Sequence, residues 1–459
     1  MALQVDHDPG RDRDRLGPRR PWLSTGGASP DLAEGAQRMK PTRARLGVLA
    51  LISTATLINY LDRSVMGVAK PELVAELHIS PEVMGLIFSA FSWTYALAQI
   101  PGGFVIDKLG TRLTYALSLG LWSTATAIHG FMTNIAGLVS ARLALGIAEA
   151  PCFPANSRVM STWFPQQERA RATGVYTVGE YIGLGLLIPV LAWIMGHYGW
   201  RSLFWIVGAI GVVFALIFHT MYREPHESGR ANQAERDLIA AGGGVASATQ
   251  ALGFSWGRVW RLVTTRQIAG ASIGQFCSNS TLVFFLTWFP SYLAEERGMS
   301  FIKSGYMVSL PYLGASVGVM LGGVASDWLI RATGSPSIGR KAPIIAGLLL
   351  CSTMGLANFL DSNAAVIAIM SVAFFGQGLA GLGWALVSDV APKEMMGLTG
   401  GLFNFFANLA GIITPLVVGF VVGATGSFYG ALAYVGALGI VGALAYLFLL
   451  GPVERVTIE

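Results

Sequence analysis

Apolar and polar positions segregate along this chain on the scale of whole helices. From Leu46 to Leu450, runs of about twenty apolar residues are bounded by charge, Gly or Pro. That is the length a helix needs to cross a hydrocarbon core of about 30 Å. Twelve spans are predicted. The first six cover about 46–69, 83–106, 113–132, 135–161, 170–196 and 201–222. The second six cover about 268–294, 304–328, 342–360, 364–388, 397–424 and 428–450. A hydrophilic link over 223–265 divides them, so the expected organisation is a six-helix unit over 39–222, a linker, a second six-helix unit over 266–452 and a tail over 453–459. Residues 1–38 carry Arg-Asp-Arg-Asp-Arg and Pro-Arg-Arg-Pro and cannot build a core. They read either as a disordered cytoplasmic extension or as sequence ahead of a translation start at Met39. They lack an apolar run of the kind a signal peptide needs.

Composition supports the same class. Of 459 residues, 53% are hydrophobic and 12% charged, about half the charge of a soluble domain. The 57 glycines suit close helix packing in lipid. The net charge of +5 does not indicate nucleic-acid binding, because Lys and Arg gather at span ends. Lys40, Arg43, Arg45, Lys108, Arg112, Arg169, Arg171, the linker arginines, Arg331, Arg340 and Lys341 fall on one side. The other side holds little beyond Lys70, Arg201, Arg297 and Lys303. The positive-inside rule then predicts a multi-pass membrane protein with both termini and the linker cytoplasmic. The three cysteines lie within apolar segments, so neither a disulfide framework nor a metal site is expected. No His-Glu-x-x-His, Ser-centred elbow or His cluster is present, which argues against an enzyme.

The halves repeat. Gly103, Asp107, Lys108 and Arg112 after span two are echoed by Gly323, Asp327 and Arg331 after span eight. Glu168, Thr173, Gly174, Gly185 and Pro189 recur at the same spacing as Glu394, Thr399, Gly400, Gly411 and Pro415. Parallel repeats of this kind belong to transporters with a substrate site between the halves, near mid-membrane.

Within this repeat, the Gly-x-x-x-Asp-Lys-x-Gly-x-Arg loop resembles the signature of the major facilitator superfamily. Asn59-Tyr-Leu-Asp-Arg-Ser64, Phe91–Gly103, Arg142–Pro151, Trp163–Gly174 and Gly199-Trp-Arg-Ser202 are similar to its anion:cation symporter branch. So are Leu286–Tyr292, Ser388–Glu394 and Gly400–Asn404. Within that branch they resemble bacterial glucarate, galactarate and galactonate permeases. The resemblance implies two six-helix bundles and proton-coupled import of a small sugar acid by alternating access. An aromatic or short-chain carboxylate is the alternative cargo. It further implies no cofactor, with the proton as coupling ion, and a cytoplasmic latch at Gly103, Asp107, Lys108, Arg112 and Asp327. Lipid and a small carboxylate are the expected partners. A monomer is expected, since one chain contains both halves of a cavity.

Ionisable residues at bilayer depth are costly and need partners. Asp62 and Arg63 point about 100° apart on one helix, so they need not neutralise each other. Arg63 offers a planar fork for a carboxylate or a structural ion pair. Asp62 is a proton carrier, a partner of Arg142, or each in turn. Arg142, Gly146 and Glu149 share one face of span four. Glu149 reads as the proton-coupling acid or as a permanent partner of Arg142, and the resemblance favours coupling. Glu180 either accepts hydrogen bonds from substrate hydroxyls or titrates as a further site; the resembled permeases often carry Gln there. The resemblance adds Tyr60, Tyr95, Gln275, Asn279, Trp384 and Asn404 as substrate contacts.

Overall fold

The computed structural model describes residues 40–243, 256–392 and 395–457. The extension predicted over 1–38 lies outside the described residues. Every regular element among the described residues is helical. Eight helices among the described residues are long and apolar enough to cross a membrane. One of them, Arg171–Met221, has 51 residues and holds two spans. Pro81–Leu109, Thr111–His129 and Arg266–Thr287 complete twelve. Span one is Ala44–Leu77, and span four is Ile135–Glu149 continued by Cys152–Trp163 after a break at Ala150-Pro151. Span eight is Phe301–Thr333, span nine Pro336–Ser352 and its continuation, span ten Asn363–Ala380 followed by Gly383–Val390, and span eleven Met396–Thr425. Span twelve begins at Tyr429.

The division of spans five and six rests on one glycine. Gly199 adopts φ 77° and ψ 168°, which a Cβ disfavours. The turn is pinned by span one: Glu72 accepts from the Trp200 backbone N–H at 2.8 Å, and Glu76 accepts from Trp200 Nε1 and both Arg201 terminal nitrogens at 2.7–2.8 Å. These partners explain why span one continues to Leu77, eight residues beyond the predicted end. The charges at Lys70, Glu72 and Glu76 read as the end of an apolar run, yet each is paired on a helix that goes on.

The two bundles meet along spans two and eleven and along spans five and eight. These four spans hold Pro101, Pro415, Pro189 and Pro311 inside their helices. Contact is uneven along the boundary. At the end away from the linker, a Cβ on Gly85 would lie 2.5 Å from the Pro415 carbonyl oxygen, and one on Gly419 would lie 2.5 Å from that of Pro81. Lys70 pairs with Glu295 across the same end at 2.8 Å. One hydrophobic cluster spans both bundles there, from Val65 and Met66 through Phe285 and Trp288 to Tyr312 and Phe374. At the linker end each bundle keeps its own cluster, and Gly174, Gly400 and Gly401 have open space where a Cβ would stand. The bundles are therefore closed at the far end and parted at the linker end.

The linker is not featureless. Helix Gln233–Ala241 carries Glu235 onto the start of span one. Its carboxylate accepts from the Thr42 hydroxyl, from the backbone N–H groups of Ala44 at 2.8 Å and Arg45 at 3.2 Å, and from the Arg45 guanidinium at 3.0 Å. Burial pushes this acid up, but the hydrogen bonds from Thr42, Ala44 and Arg45 together outweigh it and hold the carboxyl below its ordinary value. A second linker helix, Trp256–Thr264, leads into span seven.

Candidate functional site

The centre of the first bundle is built around Arg63 on span one. Span two supplies Phe91 and Tyr95, one turn apart on the same face. Gly146 lets span four close onto them, since a Cβ there would strike the Phe91 carbonyl and the Thr94 hydroxyl. Thr94 completes the contact by donating to the Leu143 carbonyl at 2.8 Å. Glu149 ends the first part of span four, and Pro151 follows without an N–H to donate. A carboxylate at a helix C-terminus is disfavoured by the macrodipole, so it needs a cation. Arg63 provides one: its Nε donates to Glu149 Oε1 at 2.6 Å and its Nη2 lies against the same oxygen.

The Arg63 guanidinium is also ringed by aromatics. The centroids of Tyr95, Phe91, Tyr60 and Phe153 lie 4.8, 4.9, 5.1 and 6.0 Å from it. Such packing holds a cation without neutralising it. Its side chain is 17% exposed, whereas Glu149 is fully buried. Glu180 of span five completes the group, with the Tyr60 hydroxyl and the Arg63 charge as its electrostatic neighbours. Polar capacity is left over: among the described residues, Glu149 Oε2 and the amide of fully buried Asn59 are neighbours without a hydrogen bond of normal geometry. Buried polar groups are rarely unpartnered without cause.

Arg142 also packs on Phe91, 5.2 Å from its ring centroid. It donates to the carbonyls of Ile87 and Phe88, both at 3.4 Å. The ion pair with Asp62 or Glu149 considered for Arg142 is absent among the described residues, and Arg63 takes its place at Glu149. Arg142 lies against span two and meets its backbone carbonyls instead. Asp62 faces away from Arg63 into the first bundle, where Trp122 Nε1 donates to it at 2.9 Å and the Thr126 hydroxyl is a further polar neighbour, without a hydrogen bond of normal geometry. The 100° separation read from the sequence thus sends the two neighbours into different surroundings.

The second bundle contributes less directly. Gln275 packs beside Gly383 and the Tyr446 hydroxyl, since a Cβ on Gly383 would lie 3.0 and 3.2 Å from their oxygens. Asn279 donates to the Ala407 carbonyl at 2.5 Å, linking spans seven and eleven. Asn404 reaches across the boundary and donates to Gln99 Oε1. Trp384 is 46% exposed, edge-on to Phe403 at 4.9 Å. The structure therefore brings Tyr60, Arg63, Tyr95, Glu149 and Glu180 together, and leaves Gln275, Asn279 and Trp384 outside that group.

Phe91, Phe153, Trp122, Asn59 and Gln99 were not among the candidates. Spacing offered a signal for two of them: Phe91 and Gln99 lie four residues either side of the candidate Tyr95, on one face of span two.

At the expected latch, Arg112 donates to the His219 carbonyl at 2.8 Å and joins spans three and six. Lys108 is exposed. Asp327 lies 4.0 Å from Arg340, which pairs more closely with Asp389 at 2.8 Å. The surroundings of Gly103 and Asp107 lie outside the described residues.

Residues 52–415 match the family model of the Major Facilitator Superfamily. The chain belongs to that superfamily. It is accordingly a transporter and not an enzyme. Across 433 residues this superfamily member is 40% identical to a protein named "Probable galactarate/D-glucarate transporter GudP" from Escherichia coli strain K12, covering 92% of this chain and 96% of that one. It is 42% identical over 425 residues to the D-galactonate transporter of Escherichia coli O6:H1, covering 91% and 98%. Among solved structures, a bacterial homologue of the human lysosomal transporter Spinster, inward-facing and occupied, superposes with TM-score 0.68 at 18% identity, over 92% of this chain and all of that one. That likeness concerns the fold alone.

Proposed function

We propose that this transporter imports a hexose-derived sugar acid with protons, by alternating access about the Arg63 site. The single observation that carries the reading is a partly exposed guanidinium whose only ion-pair partner among the described residues is one buried carboxylate, Glu149. Protonating Glu149 removes its claim on Arg63 and frees a planar fork for the carboxylate of the cargo. Glu180, Tyr60 and Asn59 offer acceptors and donors for the cargo's hydroxyls. Asp62, held by Trp122, is the second acid available to carry a proton. The names borne by the relatives at about 40% identity support a polyhydroxylated acid. The four rings about Arg63 are the one feature that favours the second reading, an aromatic carboxylate.

The linker end faces the cytoplasm in this reading, as the distribution of Lys and Arg requires. The described conformation then presents the site inward, and rocking of the bundles would expose it outward. Uptake into proteoliposomes under an imposed pH gradient tests the proposal, with galactarate, glucarate, galactonate and an aromatic acid as competing cargoes. Concentrative uptake of a sugar acid is expected, and Glu149→Gln should retain cargo binding while losing accumulation driven by the gradient. Wild-type accumulation by that variant would overturn the coupling role. Preference for the aromatic acid would transfer the proposal to the second reading.

A further inference from the structure

We propose that a cleft at the linker end, apart from the transport site, binds a phosphate-bearing anion, and that its occupant is the headgroup of an anionic lipid. The cleft encloses about 280 Å³ between the start of span one, the end of span six and the linker, and three arginines line it: Arg43, Arg223 and Arg230. Among the described residues none of the three makes an ion pair. Arg223 donates only to the neutral carbonyls of His219 at 3.0 Å and Tyr222 at 2.7 Å. Among the described residues no carboxylate lines the cleft; Glu235 is committed to Thr42, Ala44 and Arg45, and Glu224 lies by the Tyr222 hydroxyl behind the cleft. Three arginines lining one cleft that no carboxylate lines create a field that an anion relieves, and their forked donors match phosphate oxygens.

The other walls favour a lipid over a soluble anion. Val48 and Leu51 of span one form an apolar side running from the arginines toward the membrane interior. Behind them, buried Trp163 Nε1 and the Tyr222 hydroxyl face each other without a hydrogen bond of normal geometry. A charged rim above an apolar wall suits a headgroup joined to acyl chains, and basic pockets at the cytoplasmic ends of helices bind such headgroups. The inference depends on the linker end lying in the cytoplasm-facing interface, and not on which acid is transported.

Lipid retention by the purified full-length transporter tests this without measuring transport. Native mass spectrometry and thermal melting would be run with phosphatidylglycerol, with phosphatidylcholine and with inorganic phosphate. Retention of phosphatidylglycerol over phosphatidylcholine is expected, with a higher melting temperature. Arg43→Gln with Arg230→Gln should weaken that retention at least tenfold while melting normally without lipid. Arg331→Gln, an exposed arginine at the same end of the other bundle, should leave it unchanged. Equal retention of the two lipids, or an unaffected double variant, would overturn the site. Inorganic phosphate binding as tightly as the lipid would overturn the lipid assignment.

Discussion

Lys70 allows the closed far end to be tested quantitatively. It is an isolated cation on span one, almost fully buried, and it pairs at 2.8 Å with Glu295, which follows span seven and is 43% exposed. Its ammonium also lies 4.6 Å from the Trp288 ring and 5.8 Å from that of Phe428. The half-exposed ion pair contributes about 1 kcal/mol, and the desolvated cation–π contacts about 1–2 kcal/mol. All of these contacts join span one to the second bundle, so parting the bundles at this end would break them. Lys70→Met keeps most of the stem and removes the charge. It should shift the balance toward far-end opening by about 2–3 kcal/mol, or about 30- to 140-fold at 1.4 kcal/mol per decade.

A cysteine at buried Ser291, beside this contact, reports the opening once Cys152, Cys277 and Cys351 are replaced by Ser. Its labelling by an impermeant maleimide from the far side should accelerate by that factor in Lys70→Met. A double-mutant cycle with Glu295→Gln should return about 1 kcal/mol for the pair. Equal labelling rates in the wild type and Lys70→Met would refute the argument that these contacts hold the far end shut.

Three further outcomes are expected. Arg63→Lys keeps the charge but loses the fork and the stacking over four rings, so the KM for a sugar acid should rise about 10- to 150-fold, the equivalent of about 1.5–3 kcal/mol for a charged hydrogen bond; an unchanged KM would remove Arg63 from the site. Gly85→Val places side-chain carbons against the Pro415 carbonyl and should prevent far-end closure, seen as rapid labelling at Ser291→Cys and loss of uptake. Because the Glu235 carboxyl is held below its ordinary value, the stability it adds is fully present above the usual glutamate range and is lost as pH falls through the lowered value. Glu235→Gln should therefore lower the melting temperature at pH 7 and show less additional loss than the wild type on acidification toward pH 3. A parallel acid profile for the two would contradict this.

The spans were legible because burial in lipid imposes one rule on every helix, a continuous apolar stretch of fixed length. The repeat was legible because Gly174, Gly185 and Pro189 recur as Gly400, Gly411 and Pro415 at equal spacing. The acids and arginines of the first half were legible because charge at membrane depth is too costly to stand by chance. What each charge would meet was not. The face separation of Asp62 and Arg63 was readable, but that Trp122 awaits one and Glu149 the other depends on how spans three and four pack. Arg142 found backbone carbonyls instead of an acid for the same reason. The paired ends of span one and the linker's clamp on Arg45 likewise depend on partners more than a hundred residues away. Periodicity reports which face of a helix is apolar, and only the assembled bundle decides which neighbour that face meets.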